Sequence, residues 1–357
     1  MEFLQEVGVF FVEALIIVAA IIVVLIGVTA AGQRRRGGDD GYIEVRRLND
    51  KYTAFRDAIR SLTEYPEERK ARLKEEKKAA KAEEKQIKAQ LKANLAGSDA
   101  DDDSLNRKRV FVLHFDGDMR ASAVDSLREE ISAVLPEVGA GDEVLLCLES
   151  PGGLVHAYGL AASQLKRLRD AGVTLTIAVD KVAASGGYMM ACVADRIIAA
   201  PFAVIGSIGV LAQIPNFHRL LKKNDVDFEL LTAGKYKRTM TMLGENTEAD
   251  RKKFIEDLED TFDLFKEFVK SHREVVDIDS VATGEIWYGQ RALEKNLIDE
   301  IATSDDYIQR SVADCDVLEV RYVPKKSWQE KLGMAAEGSI ERVLTKLWQT
   351  ASTRQLP

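Results

Sequence analysis

The chain has 357 residues, enough for one large domain or two smaller ones with appendages. An apolar content of 46% with 30% charged residues excludes a disordered chain, and a formal net charge of −8 argues against bulk affinity for nucleic acid. Three scattered cysteines, Cys147, Cys192 and Cys315, include no CxxC pair, so neither a disulfide framework nor a zinc or other metal site is expected.

The first predicted element is an apolar helix over residues 14–31, in which Thr29 is the only non-apolar residue. At 1.5 Å per residue it reaches about 27 Å, near the hydrocarbon thickness of a bilayer. A cleaved signal peptide would begin with basic residues. This chain begins with Glu2, Glu6 and Glu13, and its basic cluster, Arg34, Arg35 and Arg36, follows the apolar run. The pattern predicts a retained transmembrane anchor that makes membrane lipid a partner. Charge bias places the N-terminus outside and the bulk of the chain in the cytoplasm. A second apolar run, residues 188–212, is interrupted by Asp195, Arg196 and Pro201 and reads as buried core.

A polar joint at residues 37–41 leads to a charged helix over residues 67–95, rich in helix formers and in Glu–Lys pairs four apart. It reads either as a solvated helix or as one that packs on a neighbouring subunit or near lipid headgroups. An acidic linker, GSDADDDS, covers residues 97–104. Strands are then predicted at residues 109–115, 143–148, 173–179 and 196–199. They alternate with helices at residues 123–135, 155–168 and 185–193. Repeated βα units imply a largely parallel sheet covered on both faces. Residues 248–269 form an amphipathic helix capped by Asn246 or Thr247, and Ile340, Val343, Leu344, Leu347 and Trp348 share one face of a final helix.

Two glycine-rich turns could carry chemistry. Ser185 sits in AASGG where a strand gives way to a helix, so free N–H groups and the positive dipole end face its oxygen. A plain serine cap is the bland alternative. ESPGG, residues 149–153, follows a buried strand, and Gly152 or Gly153 could donate an amide to an oxyanion. The base is less legible. His218 and His272 follow the serine in chain order but lie in polar helical settings, and GxSxG is not met because Ala183 replaces the first glycine. An SxxK pair is absent, since Tyr188 holds the third position after Ser185. Lys235 and Lys237, in GKYKR, are the remaining candidates.

Taken in order, ESPGG, AASGGYMMACVADRIIA, GSIGV, GKYKRT and GEIWYGQRALEKNLID resemble the SohB and signal peptide peptidase A family of bacterial membrane serine proteases. The resemblance implies an α/β core of the ClpP/crotonase-like type, carrying an N-terminal transmembrane helix and a charged helical segment. It implies Ser185 as nucleophile, Lys237 as base, Ser207 as the residue that orients the lysine, and Gly152 or Gly153 with Gly186 as the oxyanion hole. YKRTMTMLGE is shorter in polar residues than the corresponding stretch of many relatives, which leaves the adjoining substrate groove open.

The expected organisation is an anchor at 1–33, a charged segment and linker at 34–105, a protease core at 106–305 and an extension at 306–357. The expected activity is serine endopeptidase cleavage of peptides, such as signal-peptide remnants or membrane-protein fragments. It would need no cofactor and would take place in a ring- or dome-like homo-oligomer at the bacterial inner membrane. The alternative is an inactive membrane scaffold.

Overall fold

The computed structural model describes residues 41–95 and 107–325. The proposed anchor at 14–31, the acidic linker at 97–104 and the final amphipathic face at 340–348 lie outside them. Strand β1 (Tyr42–Arg47) opens the described chain, followed by helices α1 (Leu48–Thr63) and α2 (Pro66–Leu95). Three strands and two helices then alternate: β2 (Arg109–Asp116), α3 (Val124–Val134), β3 (Glu143–Glu149), α4 (Val155–Asp170) and β4 (Thr174–Val179).

These strands are apolar on both faces. Along β2, Phe111, Leu113 and Phe115 enter one core while Val110 and Val112 enter another, and none is more than 5% exposed. A strand with no wet face belongs inside a covered parallel sheet. β2, β3 and β4 pair in parallel, with Leu113 beside Leu146 and Leu146 beside Ile177. Helices α3 and α4 bury Leu127, Ile131, Leu165 and Leu168 in the first core.

The chain then makes shorter pieces: β5 (Val182–Ala184), α5 (Gly186–Ala191), β6 (Arg196–Ala199) and β7 (Val204–Gly206). An exposed stretch with one short helix, α6 (His218–Lys223), leads to the long helix α7 (Glu248–His272). Thr247 and Asp250 form a reciprocal capping box at the start of α7, so Thr247 is the cap. Elements α8 (Ile278–Val281), β8 (Ile286–Tyr288), α9 (Gly289–Glu294), β9 (Glu300–Ile301), α10 (Ser304–Asp314) and β10 (Asp316–Val323) complete the described chain.

The main sheet has seven strands in the order β1-β10-β2-β3-β4-β6-β9, and β5, β7 and β8 form a second, smaller sheet. The main sheet thus recruits β1 from the charged segment and β10 from beyond residue 305. Asn49 of α1 secures this edge. Its Nδ2 donates to the carbonyls of Val312 and Cys315 at 3.2 and 2.9 Å, and its Oδ1 accepts the Val317 amide at 2.8 Å. Among the described residues no helix is long and apolar enough to cross a membrane.

Candidate active site

β5 ends at Ala184 and α5 begins at Gly186, so Ser185 alone forms the turn between them. Its backbone sits at φ 52°, ψ −118°, a region L-residues seldom occupy, at a cost of about 1–3 kcal/mol. Two bonds hold it there. The Ser185 amide donates to the Gly206 carbonyl at 2.7 Å, and the Ser185 carbonyl accepts the Met189 amide at 3.0 Å. Its hydroxyl makes no capping bond to α5. The bland reading of a serine cap therefore does not describe this residue.

Ser207 stands beside it. β5 and β7 are parallel, with Ala184 opposite Gly206, so Ser185 and Ser207 follow matching strand ends. Ser207 also has a positive φ, 51°, and its amide donates to the Glu285 carbonyl at 2.7 Å.

The ESPGG turn closes against the same spot. Ser150 bridges to β5: its amide donates to the Val182 carbonyl at 2.8 Å, and its own carbonyl accepts the Ala184 amide at 3.0 Å. Gly152, at φ 89°, lies so close that a Cβ there would sit 2.7 Å from the Gly186 nitrogen and 2.8 Å from Ser185 Cβ. Only glycine fits both the conformation and the contact.

A chain of hydrogen bonds sets this turn, and its proton directions can be worked out. Tyr158 Oη lies 2.7 Å from the Asp118 carbonyl, which can only accept, so the tyrosine proton is used there. In the 2.6 Å bond between Ser150 Oγ and Tyr158 Oη, the serine must then be the donor. Ser150 Oγ in turn accepts the Gly152 amide at 3.1 Å. Burial raises the Tyr158 pKa, which keeps the phenol protonated and donating.

Gly152's amide is thereby occupied, while those of Gly153 and Gly186 donate to no group among the described residues. Gly186 opens a helix, so its N–H has no intrahelical acceptor. A second tie comes from Met119, whose carbonyl accepts the Leu154 amide at 2.9 Å.

Ser185, Gly153 and Gly186 line one cleft of about 180 Å³. Its walls are Val155, Met189 and Val210, with Leu264, Phe265 and Phe268 from α7. The chemistry available there is a hydroxyl, two backbone donors and an apolar recess that suits a side chain.

Lys237 is not in this lining. It is exposed, and its amide donates to the Gly234 carbonyl at 3.2 Å. Lys235 is exposed too, with Nζ 4.9 Å from the centre of the Tyr236 ring. Among the described residues neither lysine side chain bonds to Ser185 or Ser207.

Neither histidine weighed as a base lines this cleft. The His272 Nδ1 lies 2.8 Å from the Phe268 carbonyl, and His218 is half-buried on α6. The thiols are poor nucleophiles. Burial pushes Cys192 up to about 12, and burial with the nearby Asp180 charge does the same to Cys147.

Sequence reasoning missed Ser150 and Tyr158. Ser150 lay inside ESPGG, but nothing local marked Tyr158 as the residue beneath the turn.

Comparison with known proteins identifies the family. The model described as the N-terminal region of peptidase family S49 matches residues 2–165, and the peptidase family S49 model matches residues 167–317. The probable protease SohB of Haemophilus influenzae is 52% identical over 304 residues, 85% of each chain. The probable protease SohB of Buchnera aphidicola subsp. Schlechtendalia chinensis is 63% identical over 203 residues, 57% of this chain and 67% of its own. A putative signal peptide peptidase SppA of Enterococcus faecium is 28% identical over 185 residues, half of this chain and 54% of its own. The residues that line the cleft and the turns that hold them thus fall within a chain that belongs to peptidase family S49, a family of proteases.

Proposed function

We propose that the protein is a membrane-anchored serine endopeptidase in which Ser185 is the nucleophile and Lys237 its base. The carrying observation is the half-buried Ser185 hydroxyl, which caps nothing, beside the two unoccupied amides of Gly153 and Gly186. In this reading neutral Lys237 takes the hydroxyl proton as Ser185 Oγ attacks a peptide carbonyl. The oxyanion settles on the amides of Gly153 and Gly186, and the protonated lysine returns its proton to the leaving amine. Water then hydrolyses the acyl-enzyme by the same route. Ser207, at the strand end beside Ser185, orients the amine.

Lys237 reaches Ser185 from a neighbouring copy in a homo-oligomer. Support comes from the stretch that carries it, which exposes Leu211, Phe217, Phe228, Leu230 and Leu231 to solvent in a single chain. The apolar cleft favours extended peptides with an apolar side chain beside the scissile bond, as in signal-peptide remnants or membrane-protein fragments. The two-sheet core, with Ser185 and Ser207 at matching strand ends, is consistent with a ClpP/crotonase-like arrangement. The apolar run at 14–31, followed by Arg34–Arg36, anchors the chain in the bacterial inner membrane, with the protease domain on the cytoplasmic side by charge bias.

A serine-reactive phosphonate tests the chemistry. It should label Ser185 in the wild type and fail on Ser185→Ala, and Ser185→Ala and Lys237→Ala should each abolish peptide turnover without lowering the melting temperature. Full turnover in either variant would remove the mechanism.

A further inference from the structure

Helix α2 sorts its charges by face. At 100° per residue, Lys70, Lys74, Lys77, Lys78, Lys81, Lys85 and Lys88 fall within an arc of about 100°. All seven are exposed. None of the acidic residues between Lys70 and Lys88 (Glu75, Glu76, Glu83 and Glu84) falls inside that arc. The lysines make a straight line about 27 Å long.

The ion pairs of Arg72 show where this line points. Arg72 Nε donates to Glu64 at 3.1 Å, and its Nη1 donates to Asp57 on α1, also at 3.1 Å. Arg72 lies about 170° round the helix from the centre of the lysine arc. The arginine face therefore ties α2 to its neighbour, and the lysine face is turned away from it. The region is also basic against the trend of the chain. Over residues 41–95, lysine and arginine outnumber aspartate and glutamate fifteen to ten, within a protein of net charge −8.

We propose that this lysine line lies on a bilayer surface and binds the phosphates of anionic phospholipid headgroups. Its straightness matches a plane. Lysine, a hydrated point charge, suits phosphates that need no directional readout. The arc carries no arginine and no aromatic residue, which a nucleic-acid site would use for base contact and stacking. The preceding apolar run and Arg34–Arg36 bring a membrane within reach, and to that extent the proposal rests on the anchor proposed above.

The test uses the full chain with vesicles of phosphatidylcholine alone or with added phosphatidylglycerol. Partition into the neutral vesicles reads the anchor. Acylation of each lysine by a water-soluble amine reagent, followed by mass spectrometry, reads the stripe separately. Lys222 and Lys223 of α6, both exposed, serve as internal references. Acylation of Lys70–Lys88 should slow about threefold or more with phosphatidylglycerol, return to the neutral-vesicle rate in raised salt, and leave the references unchanged. In K74E/K78E/K81E/K85E, with an unchanged melting temperature, the protection of Lys70, Lys77 and Lys88 should vanish. Equal rates in the two vesicle types would overturn the proposal. So would protection already complete in phosphatidylcholine, which would place the stripe against the acidic run Asp99–Asp103 or against a second copy.

Discussion

Ser185, Gly152 and Tyr158 meet at one place although they arrive from two parts of the chain. The strained serine backbone is held by one bond to β7 and one from α5, and the Gly152 turn is held by Ser150 through Tyr158 and Asp118. Tyr158→Phe removes the phenol that accepts from Ser150 and leaves that buried hydroxyl proton without an acceptor. We expect kcat to fall about tenfold with KM near the wild-type value, because a displaced amide weakens oxyanion binding more than substrate binding. Ser150→Ala should act alike, and the double variant should be little worse than the poorer single one, since both break the same chain. Steady-state kinetics on the four proteins checks this; wild-type kcat in Tyr158→Phe would detach the relay from catalysis.

Two polar anchors decide whether the elements hold their places. Asn49 serves three backbone groups at the edge where α1, α10 and β10 meet. Asn49→Ala leaves them without a partner in a buried setting, and we expect a loss of about 2 kcal/mol in denaturant unfolding. Asp142 plays the corresponding part at the start of β2. Arg109 Nε and Nη2 donate to its Oδ2 at 3.0 and 2.6 Å, and the amides of Gly139 and Arg109 donate at 2.8 Å each. Burial pushes the Asp142 carboxyl up, but Arg109 and these amides outweigh it, and the net shift is downward. The unfolded state thus takes up this proton at higher pH than the folded state. The stabilisation is complete above the ordinary aspartate pKa and is lost as pH falls through the folded value. Asp142→Asn should cost about 2 kcal/mol at pH 7, and its deficit against the wild type should close on acidification in that window.

At the scale of the whole molecule the candidate site is divided. The proposed nucleophile, Ser185, and the open amides of Gly153 and Gly186 belong to the sheet-borne cleft, whereas Lys237 rides on an exposed stretch rich in apolar side chains. If neighbouring copies exchange this lysine, two dead proteins should repair each other. Ser185→Ala and Lys237→Ala, mixed, dissociated and reassembled, should regain a substantial fraction of wild-type turnover. A mixture as inactive as its components would place both residues of the dyad within one chain.

Much of this was legible in local pattern. The strands at 109–116, 143–149 and 174–179 follow from short continuous apolar runs, because both their faces are buried, and the helix at 248–272 follows from apolar periodicity, because one buried face repeats with the helical period. Ser185 stood out because small residues and glycines surround it at a strand-to-helix junction. The short strands β5, β7 and β8 were not legible, since three residues carry too little periodicity and their pairing is supplied by distant chain. The recruitment of β1 and β10 into the main sheet was missed for a related reason: edge partners are chosen by the fold and not by their own sequence. The division of roles within ESPGG was decided only in three dimensions. Gly152 and Gly153 are the same residue type side by side, and it takes Ser150, oriented by Tyr158 beneath the turn, to occupy one amide and leave the next one open.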